Sequence, residues 1–152
     1  MPVIPDERDE PLSHAIFKQI HALATRTSAA FAELLGELDL TEALAQVMWH
    51  LDPAVPPPSM RALAATLGCD PSTVTFLTDR LGERGLTRRQ ASSVDRRIKV
   101  ITLTPQGVRA RARLVHAVDT RSPLARLSRE EQELLHELLA KTGATGDSRP
   151  RP

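Results

Sequence analysis

Residues 63–89 read LAATLGCDPSTVTFLTDRLGERGLTRR, and this stretch decides the fold. Its apolar residues recur at helical spacing before and after a four-residue turn, GCDP at 68–71. Ser59 is predicted to cap the first helix, and the glycine of the turn predicts its end. Asp70 is predicted to cap the second helix, with Pro71 in its first helical position. Two helices joined by a turn this short predict a helix-turn-helix.

The second of these helices separates into two faces. Val74, Leu77 and Leu81 fall on one face at spacing i, i+3, i+7, and we expect them to be buried. An α-helix fits the major groove of B-DNA, where hydroxyl groups bind bases or phosphates and an aromatic ring contacts thymine methyl groups. The candidate DNA-contacting residues on this helix are Ser72, Thr73, Thr75, Phe76 and Arg80. The alternative is that the hydroxyl residues only support the first helical turn and that the aromatic ring packs.

Two short β-type runs follow, LTRRQ at 86–90 and IKVITL at 98–103, and they predict a hairpin. The second run alternates, so one of its faces is expected to pack on the helices. Arg96 and Arg97 lie at the tip of the hairpin, where an arginine can enter the electronegative minor groove. Asp95 would repel phosphate if free, so we expect it to orient an arginine through an ion pair. The alternative is a pair of solvated loop arginines.

Helices are predicted on both sides of this unit. Helical periodicity runs from Pro11 to Leu38, and Thr41 can cap the helix that follows. Thr104-Pro105 predicts the start of a fifth helix, and SREE at 128–131 has the capping-box spacing that begins a sixth. The predicted fold is therefore mainly α with a small β-wing, a winged helix-turn-helix plus a helical dimerisation layer.

The outer helices indicate a dimer. Helices one and six are more apolar than a compact winged helix of about 65 residues could cover, so a second copy is expected to cover them. The predicted organisation is a disordered segment at 1–10, a dimerisation helix at 11–40, a DNA-binding winged helix-turn-helix at 41–104, C-terminal dimerisation helices at 105–142 and a disordered tail at 143–152.

The charge of the chain is unevenly distributed. Residues 61–113 carry eleven Lys/Arg against four Asp/Glu, whereas residues 1–60 carry three against nine, although the net charge is only +1. A basic middle segment between non-basic ends indicates an anionic partner such as DNA. The single cysteine, Cys69, and the lack of a long apolar run favour a cytoplasmic protein.

Catalysis and metal binding find no support in the sequence. No nucleophile–base pair, glycine-rich phosphate loop or paired-carboxylate motif is present, and the five histidines lack ligand spacing. We therefore expect no enzyme activity, no metal and no cofactor. Cys69, which lies in the turn before the second helix of the helix-turn-helix, is expected to be a small buried apolar residue rather than a reactive thiol.

As a set, these pieces resemble the MarR family of winged helix-turn-helix regulators, over about Thr41 to Gly107. The matching pieces are the stretch 63–89, then DRRIKVITLTPQG at 95–107, and then SPLARLSREEQELLHELLAK at 122–141. The resemblance implies a homodimer in which helices one, five and six interleave. It also implies that two recognition helices read a pseudo-palindromic site.

The resemblance also implies roles for particular residues. Arg97 matches the minor-groove arginine of the family and Asp95 its orienting partner, while Asp79 and Arg89 match a pair that braces the recognition helix against the wing. The function predicted is a ligand-responsive DNA-binding transcriptional repressor. Its partners are double-stranded DNA, a second copy of the chain and a small-molecule effector. Two alternatives remain, a non-specific architectural DNA-binding protein and a winged-helix protein-interaction module.

Overall fold

A computed structural model of the chain describes residues 11–143, which form six α-helices and one antiparallel pair of strands. The helices are α1 Leu12–Glu37, α2 Glu42–Trp49, α3 Met60–Leu67, α4 Pro71–Glu83, α5 Pro105–Arg121 and α6 Arg129–Lys141, and the strands are β1 Thr87–Ala91 and β2 Lys99–Leu103. A 3₁₀ turn at Pro123–Arg126 joins α5 to α6. The predicted mainly helical fold with a small β-wing is confirmed. The segments predicted to be disordered, 1–10 and 143–152, lie outside the described residues except for Gly143.

Short-range capping determines where most of these helices begin. At Thr41, Ser59, Thr104 and Ser128 the hydroxyl accepts a hydrogen bond from the backbone N–H three residues further on. Ser128 forms the full predicted capping box, since its own backbone N–H donates to a carboxylate oxygen of Glu131. These hydrogen bonds are local, which is why the sequence pattern predicts them well.

The core lies between the C-terminal half of α1, the helices α2, α3 and α4, the strand β2 and the helix α5. Its largest fully buried side chains are Met48, Leu63, Leu81, Ile101, Leu114, Val47 and Val74. Phe31 of α1 meets Trp49 of α2 edge to face, with ring centroids 6.0 Å apart. All of this packing is formed within one chain.

The hairpin pairs β1 with β2 in the register Thr87 to Leu103 and Arg89 to Ile101. The alternation predicted for β2 is only partly correct, because Val100 is buried as well as Ile101. The segment at Pro58 and Ser59 runs along the other edge of β2, where the backbone N–H of Ile101 donates to the carbonyl oxygen of Pro58. This additional segment shields a position that a two-stranded wing would leave exposed.

The wing is joined closely to the start of α5. The backbone N–H of Thr104 donates to the carbonyl oxygen of Leu86 at 3.0 Å, and its hydroxyl donates to the carbonyl oxygen of Gly85. A β-carbon at Gly107 would collide with the Leu86 carbonyl, so only glycine fits at this point of α5. The base of the wing and the first turn of α5 therefore form one rigid junction.

The two ends of the described chain expose apolar side chains. No residue of α6 is buried, and Leu134 and Leu138 are 58% and 50% exposed. The N-terminal half of α1 likewise exposes Ile16, Phe17 and Ile20. Within residues 11–143, none of the helices combines the length and the apolar character that crossing a bilayer requires.

Candidate DNA-binding surface

Helix α4 is anchored by one face and free on the other. Val74 and Leu81 are fully buried, and Leu77 is half-buried. The predicted DNA-contacting side chains of this helix, Ser72, Thr73, Thr75, Phe76 and Arg80, are all exposed. The Asp70 side chain makes no capping hydrogen bond, although Pro71 takes the first helical position as predicted. The first turn of α4 therefore presents backbone N–H groups, which attract phosphate.

Thr78 is a buried residue of α4 that the helical pattern does not identify. Its hydroxyl donates to the carbonyl oxygen of Val74 at 2.8 Å and accepts a hydrogen bond from Nη2 of Arg89 at 3.2 Å. Its carbonyl oxygen accepts from the hydroxyl of Thr87 at 3.3 Å. Thr78 thus joins the recognition helix to β1, through partners that are distant in sequence.

An ion pair reinforces this junction. Nη2 of Arg89 lies 2.7 Å from Oδ1 of Asp79, and the same nitrogen donates to the carbonyl oxygen of Thr75 at 3.4 Å. Both side chains of the ion pair are about half exposed, so its net contribution to stability is small, about 0–1 kcal/mol. The ion pair matters more for orientation than for stability, because one guanidinium holds the wing against the middle of α4.

The exposed face of α4 carries an aromatic–cation pair. The guanidinium carbon of Arg80 lies 5.3 Å from the ring centroid of Phe76, and its Nη1 lies 3.1 Å from a carboxylate oxygen of Glu83. Phe76 is 58% exposed. The ring and the guanidinium therefore form one exposed patch on α4.

The wing loop 92–98 is shaped by two side chains. The hydroxyl of Ser92 accepts hydrogen bonds from the backbone N–H groups of Val94 and Asp95. Oδ1 of Asp95 accepts from the backbone N–H of Arg97 at 2.9 Å, an Asx turn that leaves the side chains of Arg96 and Arg97 exposed. The structure thus gives Asp95 a backbone partner in place of the expected ion pair with a guanidinium, because the short carboxylate reaches the backbone N–H two residues further on within the same turn.

Two adjacent arginines of β1 point to opposite sides of the hairpin. Arg89 faces α4, whereas Nε of Arg88 donates to the hydroxyl of Thr102 on β2 at 3.4 Å. Arg88 is an exposed basic residue of the wing that is absent from the candidates predicted from sequence. Strand alternation is the signal that could identify it, since of two neighbouring strand residues only one can reach the helix.

The described residues contain no group of three or more His, Cys, Asp or Glu side chains placed to hold a metal ion. Cys69 is half-buried and packs against the core. The surface formed by α4 and the wing thus contains hydroxyls, an aromatic ring and arginines, a set suited to binding DNA.

Comparison with known proteins identifies the family. The model of the MarR family matches residues 40–99. The proposed transcriptional regulatory protein for the hcr operon of Thauera aromatica is 32% identical over 118 residues, which cover 74% of this chain and 71% of that relative.

Solved structures show the same fold. CouR from Rhodococcus jostii RHA1 bound to p-coumaroyl-CoA superposes with a TM-score of 0.76 at 24% identity, covering 95% of this chain and 100% of CouR. The transcriptional repressor CouR bound to a 23-mer DNA duplex superposes with a TM-score of 0.71 at 27% identity, covering 94% and 99%. With the sequence relative and the matched family model, these likenesses show that the chain belongs to the MarR family of transcriptional regulators.

Proposed function

We propose that the protein is a ligand-responsive repressor that binds a pseudo-palindromic operator as a homodimer. The observation that carries this proposal is the junction at Arg89, which fixes the exposed face of α4 at one orientation relative to the wing arginines. A helix and a wing held in this way can enter neighbouring grooves of one duplex together. The CouR repressor, at 27% identity, is bound to a 23-mer DNA duplex in its solved structure, which supports DNA binding by this chain.

Each side chain of this surface has a proposed role. Ser72 and Thr73 bind phosphate or base edges near the N-terminus of α4, and Thr75 and Phe76 contact base edges further along the helix. Arg97 enters the minor groove, and the neighbouring Arg96 binds a flanking phosphate. Arg80 lies beside the aromatic ring and approaches the backbone of the same groove. Asp79, Arg89 and Asp95 hold this surface in shape.

The homodimer is proposed from the exposed apolar faces of α1 and α6. Leucines that are half exposed on a helix with no buried residue indicate a surface that another chain covers. Residues 11–40 and 105–142 would form the dimer layer, and residues 41–104 would form the DNA-binding unit. A two-fold symmetric dimer then presents two α4 helices to two half-sites, about 34–36 Å apart.

The effector is proposed to bind where the winged helix meets the dimer layer. Two adjoining cavities of about 180 and 380 Å³ share Pro53 and Val108 and follow the outer side of α5. The larger cavity is lined by apolar side chains together with Arg111, His116 and Asp119, and Nη2 of Arg111 lies 3.4 Å from a carboxylate oxygen of Asp52. An amphipathic, anionic aromatic compound would pack on the apolar walls and compete with Asp52 for this guanidinium. The p-coumaroyl-CoA complex of CouR supports an effector of this chemistry. Its binding would shift the population between DNA-competent and DNA-incompetent dimers.

A gel shift tests the proposal against both alternatives. The probe is the region upstream of the protein's own coding sequence, and the control is a scrambled duplex of equal length and composition, each titrated over a range of salt concentrations. We expect two chains per duplex and at least about 10³-fold tighter binding to the upstream region. Equal binding to both duplexes with a steep salt dependence identifies an architectural protein. Binding to neither duplex identifies an interaction module.

Effector response is tested on the same complex. Small phenolic acids and p-coumaroyl-CoA are added to the preformed protein–DNA complex, and release of the duplex is measured by fluorescence anisotropy. We expect at least one amphipathic anion to release the operator at constant ionic strength, with sodium chloride and free coenzyme A as controls. Release by none of these compounds argues against this class of effector.

A further inference from the structure

The turn between α1 and α2 has an unusual backbone. Asp39 has a φ of 52°, and no other non-glycine residue among residues 11–143 has a positive φ. The backbone N–H of Leu40 donates to the carbonyl oxygen of Leu35 at 2.8 Å, and that of Asp39 donates to Gly36 at 3.1 Å. This is the left-handed ending of a helix at which glycine is the usual residue. An aspartate here keeps a less favourable backbone than glycine would have.

The aspartate is held by an arginine from the end of the recognition helix. Nε of Arg84, which directly follows α4, donates to the carbonyl oxygen of Asp39 at 2.9 Å and to its carboxylate Oδ2 at 3.1 Å. Nη1 of the same guanidinium donates to the carbonyl oxygen of Arg80 at 3.2 Å. One side chain therefore bridges the last turn of α4 and the end of α1, which are 45 residues apart.

The side chain of Arg84 is less exposed than the arginines at the wing tip. It is 29% exposed, whereas Arg96 and Arg97 at the wing tip are exposed and make no side-chain ion pair among the described residues. Its partners are backbone and side-chain oxygens of the protein rather than open solvent. A direct role in phosphate binding is therefore not what this geometry supports.

The two helix ends that Arg84 joins belong to different parts of the molecule. Helix α1 is joined to α5 by the ion pair of Glu37 with Arg113, and its N-terminal half exposes apolar side chains. The C-terminal turn of α4 contains Arg80, one helical turn before Arg84, and its guanidinium lies over the exposed ring of Phe76. A displacement of α1 thus reaches the candidate base-contacting residues through this guanidinium, in addition to the packing of α2 against both helices.

We propose that Arg84 is a positioning residue that couples the α1–α2 turn to the recognition helix, with Asp39 as its partner. This inference rests on the proposed DNA binding and adds a residue that touches no DNA. The left-handed aspartate fits this role, because glycine would relieve the backbone but would remove the carboxylate that the guanidinium holds. The ion pair itself is open to solvent, with the Asp39 side chain 85% exposed, so it adds little to stability.

The first test uses Asp39→Gly in the full chain. Glycine takes the left-handed conformation freely, so we expect the thermal midpoint to stay equal or rise. The affinity for the upstream-region duplex should nevertheless fall by about five- to 150-fold, the range of a typical coupling between sites. A stability gain with an affinity loss is a result that a purely structural ion pair does not produce. Wild-type affinity in this variant overturns the inference.

The second test uses Arg84→Gln and the salt dependence of binding. If Arg84 is a positioning residue, its substitution lowers operator affinity and leaves the slope of log K against log salt unchanged, because the number of neutralised phosphates stays the same. A slope reduced by about one for each half-site shows instead that Arg84 binds phosphate, and this overturns the inference. Asp39→Asn is the matched control, since it keeps the acceptor oxygen and the turn and should lose less affinity than Asp39→Gly.

A double-mutant cycle completes the test and separates this inference from the proposed function. If the two residues act as one unit, Asp39→Gly should add almost nothing to the affinity loss of Arg84→Gln. Losses that multiply independently overturn the coupling. If the wild type does not distinguish operator from scrambled DNA, the proposed function itself has failed. If the wild type is specific and all variants match it, only the coupling has failed.

Discussion

Helices α4 and α6 are both 13 residues long, and they are packed in opposite ways. Helix α4 buries Val74, Thr78 and Leu81 against its own chain, whereas α6 buries no residue. The same number of turns therefore yields one helix with a completed core face and another whose leucines meet solvent. The contrast teaches that the apolar face of the winged helix is buried within one chain, whereas the apolar face of the terminal helix α6 is not.

The exposed faces of the two helices also differ in chemistry. Helix α4 exposes hydroxyls, an aromatic ring and an arginine, which suit a nucleic acid surface. Helix α6 exposes a leucine face, which suits another protein surface. Substitutions on α6 should therefore change assembly, and substitutions on the free face of α4 should change DNA affinity while leaving assembly intact.

The largest effect is expected from charging the exposed face of α6. The double substitution Leu134→Glu with Leu138→Glu places four carboxylates in a dimer interface, which should weaken association by at least about 5 kcal/mol per dimer. Sedimentation at micromolar concentration should give twice the chain mass for the wild type and the chain mass for the variant. Glu137→Gln on the same helix is the control and should remain dimeric. A variant that sediments as a dimer would place the interface elsewhere.

The second prediction compares the stability lost at a buried position of α4 with the stability lost at an exposed position of α6. Leu81 is fully buried, so Leu81→Ala should lower the free energy of unfolding by about 2–5 kcal/mol at every protein concentration. Leu138→Ala removes the same atoms from a half-exposed position. The stability that it loses should be the part that depends on protein concentration. Denaturant titrations at two protein concentrations measure both. Equal, concentration-independent losses would mean that α6 already packs within its own chain.

The third effect concerns the free face of α4. Thr75→Ala and Phe76→Ala should each weaken operator binding by about 1–3 kcal/mol per half-site, the scale of one direct interaction with a base. Binding to scrambled DNA and the sedimentation coefficient should not change. Thr120→Ala on α5 is the matched control, since it removes the same hydroxyl far from the DNA-binding face. Equal losses on operator and scrambled DNA would show that these side chains do not read bases.

The smallest effect is expected at the wing tip. Arg96→Ala should reduce the slope of log K against log salt by about one for each phosphate that is no longer neutralised, with little change in specificity. Arg97→Ala is the companion variant, and its affinity loss should be larger when the flanking sequence is rich in A·T pairs. Salt titrations on two operators that differ only in flanking A·T content measure both. An unchanged slope in both variants would mean that the wing arginines are solvated.

The sequence predicts features that depend on neighbouring residues. The caps at Thr41, Ser59, Thr104 and Ser128 are predictable because a hydroxyl and a backbone N–H three residues away decide them. The family resemblance adds the ion pair of Asp79 with Arg89, which periodicity alone does not reveal.

Features that depend on distant residues are not predictable in this way. Thr78 appears polar in the helical pattern, yet it is buried because Arg89 and Thr87 reach it from another element. Val100 is buried by a proline segment about 40 residues earlier in the chain. Asp95 has a guanidinium on each of the two following residues, but its carboxylate accepts from a backbone N–H. In each case tertiary or loop geometry decides the partner.

Because Gly107 packs closely on the carbonyl of Leu86, the wing is rigidly attached to the N-terminal end of α5 and moves with it. The helix has 17 residues and is about 25 Å long. A tilt of about 5° at its far end moves the base of the wing by about 2 Å over that length. Hydrogen-bond distances tolerate only about half an ångström. In the proposed dimer, an angular change of a few degrees between the two α5 helices would therefore be enough to take both wings out of register with the grooves that we propose they enter.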